Sequence, residues 1–343
     1  MITDQRPSRR AWIAAAAQAV GLGLWLSRMA AEASLSGWRM TWLVPLATLS
    51  LALGAGIVLL LRQHVRPSWP LFLLWAYVLF PWAMPVAGWL AGAVCALLLG
   101  LLRGGHPKAA GWAPLAVGVA SLGLYVATLS PDMLPADAGE FQFIGHVLGI
   151  AHPPGYALYT LLNKLVTLLP VGTVAYRANL FGALCGAGTL AVFAWGIERR
   201  ARSTSAAWVA ALFLGLSPTF WLQSTTANIR TLTTLLAALT IALLWRWAED
   251  RSPRTLAWAA AALGLGVGHH PSLAILAPPV VAFVLITEPA ILRQPRRWVA
   301  PIGICLATFA VWLYLPVRSA MHPAFDSDPI DSWQGFWSHV LAT

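Results

Sequence analysis

Charged residues are scarce in this chain. Aspartate, glutamate, lysine and arginine together make up 10% of its 343 residues, while 59% of the residues are hydrophobic. The mean hydropathy of +0.70 and the repeated apolar runs of about 18 or more residues exclude an ordinary soluble domain. The composition predicts an all-α, polytopic helical membrane protein.

Cysteine frameworks and the common catalytic motifs are also lacking. Cys95, Cys185 and Cys305 each lie inside an apolar run, so neither a disulfide framework nor a zinc-binding spacing follows. No phosphate-binding glycine loop, dinucleotide fingerprint, H-E-x-x-H or G-x-S-x-G motif occurs. Nucleotide hydrolysis, dehydrogenation and serine-hydrolase chemistry are therefore unsupported, and no metal site is predicted.

Positive charge is concentrated in six short clusters between the apolar runs, which hold 16 of the 22 lysines and arginines. The positive-inside rule assigns such clusters to cytoplasmic loops. The net charge of +10 therefore indicates anionic membrane lipids, rather than nucleic acid, as the partner. The clusters are Arg6, Arg9 and Arg10; Arg62 and Arg66; Arg103 and Lys108; Arg199, Arg200 and Arg202; Arg246, Arg251 and Arg254; and Arg293, Arg296 and Arg297.

With these clusters inside, the hydropathy pattern predicts about eleven transmembrane helices, a cytoplasmic N-terminus and an outer C-terminus. Residues 1–110 form a four-span N-terminal extension, and residues 111–343 form a core with an outer loop, 131–173, and an outer tail, 317–343. The predicted spans are 11–33, 40–61, 67–82, 84–102, 111–130, 174–198, 205–222, 228–247, 255–270, 272–290 and 298–316.

The outer loop contains the longest polar stretch of the chain, residues 132–155. Within it, Phe141, Ile144 and Leu148 share one helical face while Gln142 and His146 share the opposite one, which predicts a short amphipathic helix lying on the membrane surface. The topology also brings ionisable residues of separate outer segments within reach of one external cleft. These are Asp132, Asp137, Glu140, His152, His269, His270, Arg318, Asp326, Asp328 and Asp331.

Four short segments carry a resemblance to a known family. They are A-D-A-G-E-F at 136–141, H-P-P-G at 152–155, A-Y-R-A-N-L at 175–180 and L-P-V-R-S at 315–319. This pattern resembles membrane proteins of the GT-C superfamily of polyprenyl-phosphate-dependent glycosyltransferases. In particular, it is similar to the transmembrane O-mannosyltransferases that act on plexin-type receptors and to bacterial relatives of unknown function. The resemblance covers about residues 112–343 and implies a GT-C-like core.

The resemblance implies that Asp137 and Glu140 are catalytic. Asp137 would be the general base that takes the proton of the acceptor hydroxyl, and Glu140 would position it or the acceptor. The same D-x-x-E spacing is also that of a capping box, with Asp137 at the N-cap of a helix and Glu140 three residues later. The sequence leaves both roles open, and they are compatible.

Five further residues are predicted to bind substrate or donor, namely His152, Arg177, Arg230, Arg318 and Asn228. His152 would contact substrate or orient the carboxylates, or else satisfy its polar atoms in a tight turn. The arginines suit the phosphate of a lipid-linked donor, or else pair with acidic residues or lipid phosphate. Asn228 stands where the resemblance leads us to expect glutamate.

Two other polar groups are interpreted as structural. Adjacent side chains on a helix point about 100° apart, so His269 and His270 are a poor pair of metal ligands. The acidic group of Asp326, Asp328 and Asp331 is interpreted as a solvated loop rather than a divalent-cation site.

The resemblance therefore implies an integral membrane glycosyltransferase that moves a sugar, such as mannose, from a polyprenyl-phosphate donor to an extracytoplasmic acceptor. No cofactor is implied besides this lipid-linked donor. The alternative is a non-catalytic accessory subunit of a larger membrane complex that keeps a truncated GT-C-like fold and docks partners through its N-terminal spans. Asn228, the stop at Thr343 and the extra spans favour this alternative. A transporter is disfavoured because few ionisable residues fall at mid-membrane.

Overall fold

The computed structural model describes residues 9–33, 69–82 and 113–342, together with isolated positions between 84 and 111. Over these residues the chain is helical and forms no strand beyond one isolated bridge between Ile150 and Asp326. The predicted all-α class is therefore confirmed. The chain divides into two compact units, Met1–His106 and Pro107–Thr343.

The first unit contains α1 (Arg9–Ala33), a 3-10 turn (Trp69–Phe72) and α2 (Leu73–Val78). Its central contact is between Arg28 of α1 and the end of α2. The guanidinium donates to the carbonyl oxygens of Tyr77, at 2.7 Å, and Phe80, at 2.6 Å, and it pairs with Glu32. Carbonyl oxygens at the C-terminal end of a helix need such partners from outside the helix. The predicted span 40–61 and most of 84–102 lie outside the described residues.

The second unit contains twelve α-helices among its described residues. They are α3 (Ala113–Ala127), α4 (Ala136–Val147), α5 (Ala157–Thr167), α6 (Val174–Ala201), α7 (Thr204–Gly215), α8 (Pro218–Ser224), α9 (Arg230–Asp250), α10 (Pro253–His269), α11 (Ala277–Thr287), α12 (Pro295–Ala307), α13 (Tyr314–Ala320) and α14 (Trp333–Leu341). Turns of 3-10 helix precede α11, α12 and α13.

Three helical segments are long and apolar enough to cross a membrane, namely α6, α9 and the continuous stretch Pro295–Ala320. A fourth span exists if α7 and α8, which meet at a bend of 76°, are counted as one. The predicted number of eleven is not confirmed by the described residues. Several predicted spans correspond to shorter helices: α3 has 15 residues, and would reach only about 22 Å of a hydrocarbon core about 30 Å thick.

Helix α6 lies against α3, α4, α7 and α9 and is lined with small residues. A side-chain carbon at Gly182 would lie 2.7 Å from the Thr226 carbonyl oxygen, and one at Gly186 would overlap the Ser224 hydroxyl. Only glycine permits such close approach of neighbouring segments. The loop 224–229 is thereby packed closely against α6.

The outer loop 131–173 folds into α4 and α5, but α4 is not the surface helix that the sequence predicts. Gln142, which was assigned to its polar face, is fully buried, and Phe141 and Ile144 are buried with it. Phe141 and Ile144 join a core that includes Tyr159 of α5 and Phe181 of α6. The amphipathic prediction was wrong because Gln142 finds buried hydrogen-bond partners within the bundle.

The segment between α4 and α5 is braced by the C-terminal part of the chain. The Arg318 guanidinium donates to the carbonyl oxygens of Leu148, at 2.6 Å, and Val147, at 3.2 Å. The Tyr314 hydroxyl donates to the Gly149 carbonyl oxygen at 2.9 Å, and the Ile150 amide donates to the Phe325 carbonyl oxygen at 2.9 Å. These bonds hold the C-terminus of α4 and fix the residues that lead to His152.

Candidate active site

A cavity of about 630 Å³ opens where four segments of the second unit meet. These segments are the start of α4, the H-P-P-G turn, the loop before α9 together with the first turn of that helix, and the turn after α10. The residues that line the cavity include Asp137, His152, Asn228, Arg230 and His270. Three of the predicted donor-binding or substrate-binding residues and one predicted catalytic residue therefore share one cavity.

Asp137 faces this cavity with an exposed carboxylate. Helix α4 begins after an N-cap at Pro135, so Asp137 is its second residue and makes no capping bond. The capping-box interpretation was therefore wrong. Among the described residues the Asp137 carboxylate has no hydrogen-bond or salt-bridge partner. Gly139 allows α4 to begin at Ala136, because a side-chain carbon at position 139 would overlap the Leu134 carbonyl oxygen.

Glu140, three residues after Asp137 on α4, binds His152. One carboxylate oxygen accepts the His152 backbone N–H at 2.9 Å, and the other lies 2.6 Å from Nδ1 of the His152 ring. The Glu140 side chain is 17% exposed and that of His152 is 38% exposed. Glu140 thus does not line the cavity itself, but it binds His152, which does.

The H-P-P-G turn depends on its glycine. Gly155 donates its amide to the His152 carbonyl oxygen at 2.9 Å and adopts φ +84°, which favours glycine. A side-chain carbon there would also lie 2.7 Å from Leu315 and 2.8 Å from Nε2 of His339. The turn is therefore fixed against the C-terminal part of the chain. His152 at its start and Tyr156 directly after it both line the cavity.

An aromatic wall is formed around Tyr156. Its ring contacts those of Phe141, His152 and His270, with centroid distances of 5.3, 5.4 and 6.0 Å, and the His270 ring is stacked on it. Burial raises the pKa of the Tyr156 hydroxyl, and the carboxylates of Asp137 and Glu140 raise it further. The phenol therefore stays protonated at neutral pH. Sequence reasoning missed Tyr156, although it directly follows the H-P-P-G motif.

Arg230 is the first residue of α9, and its exposed side chain lines the cavity. Asn228 builds this helix start: its side-chain oxygen accepts the amides of Arg230, at 2.9 Å, and Thr231, at 3.3 Å. The Asn228 amide nitrogen donates to the carbonyl oxygens of Gln223, at 2.6 Å, and Thr226, at 2.8 Å. Asn228 therefore orients Arg230, and a glutamate could not make the two donor bonds.

Asn179 of α6 links three segments near the cavity through its side-chain amide. Sequence reasoning assigned this residue no role. Its side-chain oxygen accepts from Gln142, at 3.0 Å, and from the Ala227 amide, at 2.8 Å. Its nitrogen donates to the Ser130 carbonyl oxygen at 2.8 Å. The signal in the sequence was an asparagine within the apolar run of α6, since a buried amide needs several hydrogen bonds.

Two predicted donor-binding arginines lie outside the cavity. Arg318 binds carbonyl oxygens at the end of α4, and Arg177 donates to the carbonyl oxygens of Leu169, at 2.8 Å, and Thr173, at 3.2 Å. Both guanidinium groups therefore donate hydrogen bonds to backbone carbonyl oxygens at the ends of helices. The outer position of an arginine was visible in the sequence, but its backbone partners were not.

The other polar residues assigned to the external cleft are also dispersed. His269 is buried and binds the Ile229 carbonyl oxygen at 3.1 Å, while only His270 of this pair reaches the cavity. Asp326 accepts from Ser319 at 2.8 Å, and Asp328 lies 3.7 Å from the buried ring of His339. The described residues contain no group of three potential metal ligands.

Comparison with known proteins matches this chain to one family. Residues 137–293 match the model described as the protein O-mannosyl-transferase TMEM260 N-terminal domain. This part of the chain is similar to the TMEM260 protein O-mannosyl-transferases. The resemblance carried by the D-A-G-E-F, H-P-P-G and A-Y-R-A-N-L segments is thereby confirmed, since all three lie within the part of the chain that is similar to the O-mannosyl-transferases.

Two curated relatives show the extent of the similarity. Protein O-mannosyl-transferase TMEM260 of Mus musculus is 29% identical over 245 residues, which are 66% of this chain and 34% of the mouse protein. The Dictyostelium discoideum protein of the same name is 35% identical over 66 residues, which are 18% of this chain and 8% of that protein. The chain thus spans about a third of the mouse relative. No solved structure matches it.

Proposed function

We propose that this protein is a glycosyltransferase that moves a sugar from a polyprenyl-phosphate donor to a hydroxyl group on the extracytoplasmic face. The names of the relatives make mannose the expected sugar and a protein hydroxyl the expected acceptor. One observation carries the proposal. The same cavity is lined by a carboxylate that has no partner among the described residues, Asp137, and by an arginine at the start of a helix, Arg230.

The proposed reaction assigns one role to each of these groups. The acceptor oxygen attacks the anomeric carbon and forms the new glycosidic bond, while its proton passes to the Asp137 carboxylate. The bond between the anomeric carbon and the phosphate oxygen breaks, and the polyprenyl phosphate leaves with the bonding electrons. Arg230 balances the negative charge that develops on this phosphate. The partial positive charge at the N-terminal end of α9 stabilises the phosphate in the same way.

An apolar groove supports a donor carried by a lipid. The groove has a volume of about 430 Å³, lies between α9, α10, α11 and α12, and exposes almost no polar surface. Leu244, Ala260, Val280 and Trp298 line different sides of it. The α9 helix therefore has an arginine suited to phosphate at its first residue and an apolar groove further along, as a phosphate with a long hydrocarbon tail requires.

The extracytoplasmic location is supported by the distribution of charge along α9. This helix of 21 residues is about 31 Å long, which matches the hydrocarbon core of a bilayer. Arg230 begins it, whereas Arg246 and Arg251 belong to a basic cluster at its other end, where Arg199 also pairs with Glu249. The positive-inside rule assigns the clustered end to the cytoplasm and hence the cavity to the outer face.

Asn228, which favours the accessory-subunit alternative, is also compatible with an active transferase. Asn228 had counted against activity because the resemblance leads to an expected glutamate at that position. Its side-chain hydrogen bonds make it the residue that builds the start of α9 and orients Arg230. Docking of partner subunits through the N-terminal unit stays a prediction.

The proposal is tested by determining a structure of the protein in lipid nanodiscs with a non-hydrolysable polyprenyl-phosphonate sugar. We expect density for the phosphonate within hydrogen-bond distance of the Arg230 guanidinium and for the sugar ring beside Asp137. Density for the phosphonate at Arg318 or Arg177, with an empty cavity, would overturn this assignment.

A further inference from the structure

We propose that His152 and His270 form a sugar-recognition pair, in which His152 accepts a hydrogen bond from one hydroxyl of the transferred sugar and His270 donates a hydrogen bond to another. This inference rests on the proposed function and deepens it. It assigns the aromatic wall around Tyr156 to the sugar ring and leaves Arg230 to the phosphate.

The tautomer of the His152 ring is imposed by Glu140. This glutamate uses both carboxylate oxygens on the one residue, one for the backbone amide at 2.9 Å and the other for Nδ1 at 2.6 Å. An ionised carboxylate only accepts hydrogen bonds, so Nδ1 must carry the hydrogen. In the neutral imidazole, Nε2 is then the acceptor, and it is the only other polar atom of a ring that lines the cavity.

The opposite tautomer is imposed on His270. Nδ1 of this ring accepts the backbone N–H of Ser272 at 3.1 Å and lies 2.7 Å from the Ser272 hydroxyl. A backbone amide can only donate, so Nδ1 carries the lone pair and Nε2 of the neutral ring carries the hydrogen. The two histidines therefore present complementary groups, an acceptor from His152 and a donor from His270.

Both rings flank Tyr156, His152 edge-on at 5.4 Å and His270 stacked at 6.0 Å between centroids. An acceptor and a donor that both contact an aromatic ring match a pyranose, which has hydroxyl groups at its edge and an apolar C–H face. They do not match a phosphate ester, because the lone pair of His152 would repel its anionic oxygens. The proposal therefore places the sugar ring of the donor against Tyr156 and leaves its phosphate to Arg230, which lines the same cavity.

The test uses donors that lack single hydroxyl groups. For one deoxy position, wild-type kcat/KM should fall about tenfold relative to the natural sugar, because the His152 acceptor is left unpaired. His152→Asn keeps a side-chain donor for Glu140 near the place of Nδ1 but removes Nε2. This variant should transfer the natural and the deoxy sugar at similar rates, so that its discrimination disappears.

Glu140→Gln provides a second readout that a merely structural role would not give. The glutamine amide can donate to Nδ1, which moves the ring hydrogen to Nε2. Histidine ¹⁵N spectra should therefore show the Nδ1–H tautomer of His152 in the wild type and a shift towards Nε2–H in the variant. His146→Asn, on the exposed side of the same helix, is the matched control and should change neither sugar discrimination nor the His152 signal.

The outcomes separate this inference from the proposed function. Loss of discrimination in His152→Asn, together with the tautomer shift in Glu140→Gln, is the expected result. Equal sensitivity of the wild type and His152→Asn to every deoxy donor would overturn the inference and leave the proposed function standing. Absence of transfer by the wild type with all donors would overturn both.

Discussion

Replacement of Asp137 by asparagine is expected to lower the rate of sugar transfer about 10²–10⁴-fold while the protein stays folded. The carboxylate lines the cavity without a hydrogen-bond partner among the described residues, and Pro135, not Asp137, is the N-cap of α4. Asparagine has the same shape but cannot take a proton from the acceptor. The measurement is transfer from a polyprenyl-phosphate sugar by both proteins, with thermal melting as the test of folding.

Asp132→Asn is the matched control for this variant. Asp132 is also an exposed carboxylate of the outer loop, but it binds the Met133 amide at 2.8 Å and does not line the cavity. Its replacement should leave transfer within about threefold of the wild type, the small effect typical of a surface substitution. Equal activity of Asp137→Asn and the wild type would remove Asp137 from the mechanism.

Replacement of Arg230 by glutamine is expected to lower kcat/KM for the donor about 10²–10³-fold, the usual cost of removing one group that stabilises charge in the transition state. Asn228 binds the backbone amide of Arg230 and not its side chain, so the start of α9 should persist in the variant. The Arg230 guanidinium donates to Gln223 at 3.4 Å, a long hydrogen bond whose removal should cost little stability. Donor kinetics and thermal melting measure the two effects separately.

Arg246→Gln is the control on the same helix. Arg246 carries the same charge at the other end of α9 and pairs there with Asp250 at 3.5 Å. Its replacement removes an exposed ion pair, which contributes about 0–1 kcal/mol, and should not affect donor kinetics. If both substitutions lowered kcat/KM to the same extent, the effect would come from overall charge and Arg230 would lose its assigned role.

The part of the site that lies within one loop could be predicted from the sequence. Asp137, Glu140 and His152 were expected to act together, and the structure joins Glu140 to His152 and brings Asp137 and His152 to one cavity. The capping role was wrong because the helix begins after Pro135, two residues earlier than the D-x-x-E spacing requires. Spacing alone cannot fix a helix start to one residue.

The residues with long-range partners show what a local pattern cannot reveal. Arg318 lies 170 positions from Leu148, whose carbonyl oxygen it binds. Asn179 lies 37 positions from Gln142 and 48 from Ala227. Such long-range partners depend on how the helices pack, which periodicity does not encode. Hydropathy likewise does not report where a proline or a bend ends a helix, so several predicted spans correspond to shorter helices among the described residues.

The proposed activity is tested most directly by sugar transfer with the purified wild-type protein in lipid bilayers. The assay supplies a polyprenyl phosphate carrying a labelled mannose and a peptide with serine and threonine hydroxyl groups. We expect labelled peptide together with release of one polyprenyl phosphate for each sugar transferred. Neither labelled peptide nor released polyprenyl phosphate, with mannose and with other sugars on the same carrier, would contradict the proposed transferase.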